Sequence, residues 1–147
     1  MTPVASYVSE NAAARGRLAA IVSRLTDEDL AKPVGDDWTV SSALVHLAFW
    51  DWCRLALLQR WELLGVGDMP YNSDIINSGV QALAVAIPPR AAAEMAVKAA
   101  QALDQEIEKL PAELATAIMD SGNNRVLERH LHRNLHLDDI EKGLGHR

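Results

Sequence analysis

Apolar side chains recur at steps of three and four residues through most of this chain, which is the pattern of helices that bury one face. The pattern predicts four long helices, over residues 2–25, 39–65, 88–110 and 127–141. The Thr39 hydroxyl can cap the second helix, Gly65 can end it, and Pro88 with Pro89 can open the third. No strand-like alternation stands out along the sequence. The hydrophobic pattern therefore predicts an all-α fold.

The second predicted helix is apolar on almost every side, so we expect it to be the central, most buried helix of a small bundle. The connection from Gly65 to Pro89 follows it, irregular at first and then predicted to hold a shorter helix over residues 73–86. A connection of this length inside a compact domain is typical of a crossover or a functional lid. We predict a four-helix bundle with a long crossover connection between the second and third main helices, forming a single domain over residues 1–147.

Two shorter segments complete the predicted secondary structure. Thr26, with Asp29 three residues on, is predicted to cap one helical turn that breaks before Pro33. The stretch PAELATAIMDSGNN is interpreted as the link between the third and fourth main helices, with Asp120 or Ser121 as the cap of the fourth.

Composition and charge narrow the classes of function. The 147 residues are 49% hydrophobic, and the formal net charge is −6. An acidic balance without Lys/Arg clusters argues against a nucleic-acid partner, because such proteins bind phosphates through clustered cations. The single cysteine, Cys53, excludes an intrachain disulfide and fits a reducing compartment. Without a signal-peptide pattern or a run of about 18 apolar residues, we expect a cytoplasmic protein with no membrane segment.

All four tryptophans lie in or just before the second helix, at positions 38, 50, 52 and 61. Aromatic side chains on a central helix are usually core, although these residues could instead line a pocket. Cys53 is interpreted as a small buried hydrophobe rather than a nucleophile. The sequence has no Ser-His-Asp order, phosphate loop or dinucleotide glycine pattern that would indicate another chemistry.

The histidines carry the candidate chemistry. His132 and His136 are four residues apart, so they stack on nearly the same helix face and can chelate one metal ion. A solvated polar face is the alternative interpretation of this pair. His46 lies among apolar residues of the second helix, as a hydrogen-bonded core histidine or as a third ligand that faces the last helix. His130, six residues before His136, is expected on another face.

Two motifs resemble those of the DinB-like superfamily. The segment WTVSSALVHLAFWD is similar to the second-helix motif of that family, and HRNLHLDDIE is similar to the histidine–three residues–histidine motif in its last helix. The motifs occur in the family's order, and the resemblance covers nearly the whole chain. In the family these histidines form a three-histidine site for a divalent metal. The resemblance implies His46, His132 and His136 as metal ligands here, and neither His130 nor His146 matches a ligand position.

Three neutral imidazoles leave at least one coordination position open, which is the arrangement of a catalytic metal site. Related families include thiol S-transferases and the mycothiol-dependent maleylpyruvate isomerase. The resemblance therefore implies a metal-dependent enzyme of thiol S-transferase or hydrolase type that acts on a small molecule, with Zn or Ni and a low-molecular-weight thiol as cofactors. The alternative is a non-catalytic bundle that binds or sequesters a small molecule around a structural or vestigial metal. We also expect a two-fold homodimer, because family members often pair through helices.

Overall fold

The computed structural model describes residues 3–68 and 72–145, with side chains from residue 6 onward. Most of these residues belong to helices, which are α1 (Pro3–Arg24), α2 (Asp27–Leu30), α3 (Val40–Leu64), α4 (Ser73–Ala84), α5 (Pro89–Lys109), α6 (Ala112–Asp120) and α7 (Arg129–Gly143). A 3₁₀ turn spans Asn124–Val126. Two short antiparallel strands, β1 (Pro33–Val34) and β2 (Trp38–Thr39), precede α3. The all-α class predicted from the sequence is confirmed.

The ends of α3 follow the chemistry of their sequence. The Thr39 hydroxyl accepts a hydrogen bond from the Ser42 backbone N–H at 3.1 Å, and the Ser42 hydroxyl accepts one from the Thr39 N–H at 2.8 Å. This reciprocal capping box fixes the first turn of the helix. Gly65 ends α3 with φ at +82°, a conformation that favours glycine. A second capping box joins Thr26 and Asp29 at the start of α2, as predicted.

Two local predictions are wrong. The segment predicted to be a link contains α6 and the 3₁₀ turn, and Asp120 and Ser121 end α6 instead of capping α7. The Ser121 hydroxyl donates to the Ile118 carbonyl at 2.7 Å, whereas α7 follows Glu128 without a side-chain cap. The β1–β2 hairpin was not predicted, because two-residue strands are too short to show alternation. The helix expected over residues 73–86 is confirmed as α4.

The long helices pack in a closed cycle of contacts. α3 packs on α5 and α7, and α1 packs on the same two helices. α3 also contacts α2 and α4, as expected of the central helix. β1 packs against α7, which brings the hairpin close to the end of that helix. Within the described ranges, no helix combines the length and the apolar character that a membrane span requires.

The core consists of two large apolar clusters with a polar layer at their boundary, and a smaller third cluster joins α4 to α3 and α5. One cluster contains the first half of α3, up to Ala48, and the second contains its later part, from Leu58. Asp51 lies between these two parts of α3. Each of the four long helices contributes buried polar groups to this layer, which are Asn11, Asp51, Asp104, Arg129 and Arg133. A buried ionic layer therefore crosses the middle of the core.

Candidate metal site

Helices α3 and α7 position the three histidines named from the sequence. His46 lies in the second turn of α3 and is 6% exposed. Its ring makes a T-shaped contact with Trp38 of β2, with 5.2 Å between ring centroids. His132 and His136 lie one turn apart on α7 and are both partly buried. The capped start of α3 and the docking of α7 thus bring together side chains 86 residues apart in the sequence.

The three imidazoles converge. Their ring centroids are 5.1 Å apart for His46 and His132, 4.5 Å for His46 and His136, and 4.7 Å for His132 and His136. One ring nitrogen from each lies within 4.8 Å of the other two. The Nε2 atoms of His46 and His132 are 3.1 Å apart. Two nitrogens that bind one ion at about 2.0–2.1 Å in tetrahedral geometry would lie about 3.3 Å apart, so the donor set fits a shared metal ion.

His130 has a different environment, as the helix geometry predicted. Its Nε2 lies 2.7 Å from a carboxylate oxygen of Glu10, and its backbone N–H donates to the side-chain oxygen of Asn11 at 2.8 Å. These contacts tie α7 to α1 and direct the His130 ring away from the histidine cluster. His146 lies outside the described residues.

Burial keeps the cluster in the neutral form that a metal requires. Desolvation, with the positive charge that His136 and Arg129 can carry, lowers the pKa of His46 to about 4. Desolvation and then Arg129 lower the pKa of His132 to about 2. Desolvation also lowers the pKa of His136, with partial opposition from Asp139. At neutral pH all three rings are therefore neutral, and the second protonation of each ring competes only weakly with a metal ion.

The contact with Arg129 determines which nitrogen carries the proton in the neutral rings of His132 and His46. Its guanidinium, which can only donate, donates to Nδ1 of His132 at 3.1 Å. The His132 proton must then be on Nε2, from which it is donated to Nε2 of His46. The proton of His46 is consequently on Nδ1, a buried atom with no hydrogen-bond acceptor among the described residues. Such an unsatisfied donor costs about 1–3 kcal/mol.

The sequence interpretation missed the charged residues behind the cluster. Arg129 donates to one oxygen of Asp51 at 3.0 Å, and Arg133 donates to the other at 3.1 Å. Arg133, which is fully buried, also makes a bidentate pair with Asp104 at 2.8 and 3.0 Å. Arg15 reaches Asp104 at 2.6 Å. The signals for this network were an aspartate inside an otherwise apolar helix, and two arginines at the same four-residue spacing as the histidines.

Two cavities of opposite charge meet at the histidines. The first, of about 440 Å³, is lined by three arginines and one glutamate besides the cluster, which are Arg54, Arg125, Arg129 and Glu128. The second, of about 580 Å³, is lined by three aspartates and one lysine, which are Asp36, Asp37, Asp139 and Lys142. His46, His136 and Trp38 line both. The first cavity therefore carries a positive excess and the second a negative one.

The tryptophans divide between the two roles considered for them. Trp61 is core, and Trp52 is 41% exposed. Trp38 and Trp50 line the first cavity, where the Trp50 indole N–H donates to the Asn77 side-chain oxygen on α4 at 2.8 Å. Cys53 is half-buried, and burial raises the pKa of its thiol, which fits a packing role better than that of a nucleophile.

Comparisons of the chain with protein-family models, with curated proteins and with solved structures found no significant match. The resemblance to the DinB-like superfamily therefore stays a prediction that depends on the two motifs. The three-histidine cluster is a feature of the structure itself, independent of that resemblance.

Proposed function

We propose that this chain is a divalent-metal-dependent enzyme of DinB-like type, which acts on a small molecule by thiol S-transfer or hydrolysis. The observation that carries the proposal is the convergence of His46, His132 and His136 at the edge of a cavity. Among the described residues the cluster has three neutral imidazoles and no fourth protein ligand, which is typical of a metal that takes part in chemistry, and Zn or Ni suits such a donor set. A bound ion would supply a Lewis acid able to polarise a substrate oxygen or to hold a thiolate.

The residues of the first cavity would perform the remaining tasks. The rings of Trp38 and Trp50 form an apolar wall that positions a substrate and limits the access of water to the histidines. Glu128, the carboxylate in the described lining, is the group that would accept the proton of the attacking thiol or water. In S-transfer, a bond forms between the thiolate sulfur and the electrophilic carbon of the substrate, and the leaving group departs with the bonding pair.

We further infer that α1, α3, α5 and α7 form a four-helix bundle with a long crossover between α3 and α5. The closed cycle of contacts among these helices supports the bundle. The length of the segment between Gly65 and Pro88, which includes α4, supports the crossover. α4 packs on α3 and contributes Ser73 and Asn77 to the cavity lining, so the connection also builds the site.

Metal binding is tested first, by titrating metal-free protein with Zn²⁺ or Ni²⁺ in a calorimeter. We expect one ion per chain, and we expect His132→Ala to weaken the affinity by at least about 100-fold because a ligand is lost. His130→Ala, in the same helix but outside the cluster, is the matched control and should retain wild-type affinity. Circular dichroism should show that both variants remain helical, since a core of this size does not need a metal to fold. Equal losses in the two variants would contradict the assignment.

Catalysis is tested by the thiol-dependent consumption of a test electrophile, such as a chlorinated nitrobenzene, and by the hydrolysis of a nitrophenyl ester. The proposal predicts turnover that requires both the added metal and His132. Tight metal binding without turnover across a panel of thiols and esters would favour the alternative, a bundle that binds or sequesters a small molecule. Unfolding of the chelated wild type at room temperature would identify a structural metal.

A further inference from the structure

We propose that the first cavity recognises the oxyanion group of a small organic acid through Arg54 and Arg125, with the remainder of that molecule directed towards the histidines. This inference rests on the proposed function, because it names the class of substrate for the same site. It depends on three observations, which are the charge of the cavity, the placement of the two arginines, and the opposite charge of the neighbouring cavity.

The charge of the cavity is opposite to that of the whole chain. The protein carries a formal charge of −6, yet its cavity lining holds three arginines against one glutamate. The buried network behind the lining does not remove this excess, because the ion pairs of the described residues give Arg129, Arg133 and Arg15 two carboxylates to share, those of Asp51 and Asp104. A bound divalent ion with three neutral ligands would add further positive charge. Such a cavity attracts anions and repels cationic molecules.

Arg54 is held in place at the cavity wall. It is half-buried on α3, and its guanidinium carbon lies 5.2 Å from the centroid of the Trp50 ring. This cation–π contact holds the guanidinium at the wall, and the planar fork of an arginine matches the geometry of a carboxylate or phosphate. The Trp50 ring is itself fixed by its bond to Asn77. A preorganised arginine of this kind loses little freedom when an anion binds.

Arg125 lies in the 3₁₀ turn before α7, and its side chain is exposed at the cavity. Its backbone carbonyl accepts a hydrogen bond from Arg129 at 2.9 Å. The same Arg129 guanidinium contacts His132, so one side chain fixes both the turn that carries Arg125 and a predicted metal ligand. The position of the proposed anion site is therefore coupled to that of the histidine cluster.

The second cavity sets the direction of approach. It shares His46 and His136 with the first cavity, but Asp36, Asp37 and Asp139 give it the opposite charge. An anion would be repelled on that side and attracted on the other. The volume of the first cavity, about 440 Å³, is within the range of sites for small molecules. The ligand is thus a small molecule that carries a carboxylate or a phosphate.

The test measures the binding of benzoate, phenyl phosphate and uncharged benzyl alcohol to metal-free protein by calorimetry at low salt. We expect at least one of the two anions to bind at least tenfold more tightly than the alcohol, and the tighter anion identifies the preferred group. Arg54→Gln and Arg125→Gln should each weaken that binding about tenfold. Arg60→Gln, which makes the same charge change on α3 outside the cavity lining, should change it less than twofold.

Three results would overturn the inference. These are equal affinity for the alcohol and both anions, an Arg60→Gln loss as large as that of Arg54→Gln, and no effect of either cavity arginine. If Arg54→Gln does not fold, Arg54→Lys keeps the charge and should show a partial loss, while exposed Arg125 still provides a full test. The same samples are titrated with Zn²⁺. Anion binding without metal binding would show that the proposed metal-dependent function fails, whereas metal binding without anion binding would show that only this inference fails.

Discussion

In the contact between Arg129 and His132, the donor and acceptor roles are reversed compared with the hydrogen bond that usually supports a metal-bound histidine. A metal-bound histidine normally donates its other N–H to a carboxylate or carbonyl, whereas here a donor faces Nδ1 of His132. In metal-free protein we therefore expect nitrogen NMR to show His132 with its proton on Nε2. Zinc coordination through Nε2 requires that proton to leave. The neutral ring then carries its proton on Nδ1, which can no longer accept a hydrogen bond from Arg129, so the spectrum should change at both nitrogens. A proton on Nδ1 before zinc is added would contradict the assignment.

The lowered pKa values of the cluster predict how the stability of metal-free protein depends on pH. Below about pH 6.5 the unfolded chain takes up protons on His46 and His132, whereas the folded chain resists until about pH 4 and about pH 2, respectively. Stability is therefore complete above pH 6.5 and falls as the pH decreases, by about 1.4 kcal/mol per pH unit for each such histidine. Urea unfolding between pH 7.5 and pH 4.5 should show this loss of stability, with the full slope reached below about pH 5.5. His46→Gln removes one of these histidines, so it should reduce the slope by about 1.4 kcal/mol per pH unit. An unchanged slope would count against the prediction.

Asp51 neutralises two buried arginines, so its charge should matter more than that of a surface aspartate. Asp51→Asn preserves the shape of the side chain but leaves Arg129 and Arg133 with less compensation, and we expect a loss of about 3–5 kcal/mol in the free energy of unfolding. Asp138→Asn is the matched control, because Asp138 pairs with Arg17 at the surface and is 69% exposed. The Asp138→Asn variant should lose less than about 1 kcal/mol in its free energy of unfolding. Denaturant titrations giving similar losses would mean that the buried network contributes little.

Among the elements, the contact between α7 and β1 depends on a residue without a side chain. A Cβ atom added at Gly143 would lie 2.9 Å from the Pro33 carbonyl oxygen and 3.4 Å from a Val34 methyl group. Gly143→Ala should therefore push the hairpin away from α7 and destabilise the protein by about 1–3 kcal/mol. Gly16→Ala makes the same change in the open middle of α1, where nothing lies within 4 Å, and should stabilise by about 0.5–1 kcal/mol. Thermal melts that shift in the same direction for both variants would contradict this explanation.

The ionic layer acts on the arrangement of the long helices. Buried charges of this kind add little net stability compared with apolar packing, but they are satisfied only in one alignment of the helices. Here Asp51 of α3 and Asp104 of α5 must both meet Arg133 of α7. A shift of one helix by a turn, about 5.4 Å, would separate these groups and leave charges buried without partners. We expect the layer to select the register that also aligns the histidines.

For the whole molecule, the sequence allowed the main helices to be predicted because their signals are local. The capping pair at Thr39 and the stop at Gly65 lie within a few residues of the ends they define. The hairpin and α6 were missed because short elements depend on tertiary contacts, such as the packing of β1 on α7. The convergence of His46 with His132 and His136 was anticipated through motif resemblance. The charged partners could not be paired from sequence, since nothing local specifies which aspartate meets which arginine. The homodimer stays a prediction.

The placement of the ionic layer also affects when the core can form during synthesis on the ribosome. Asp51 and Asp104 are synthesised before Arg129 and Arg133, so a growing chain must keep two carboxylates hydrated until their counter-charges emerge. The apolar segments on either side of them cannot close into a finished core during that interval. A chain interrupted before α7 would carry only one histidine of the cluster. Such fragments should be open to proteases and would lack two of the three histidines, so a metal that needs all three could bind only to finished copies.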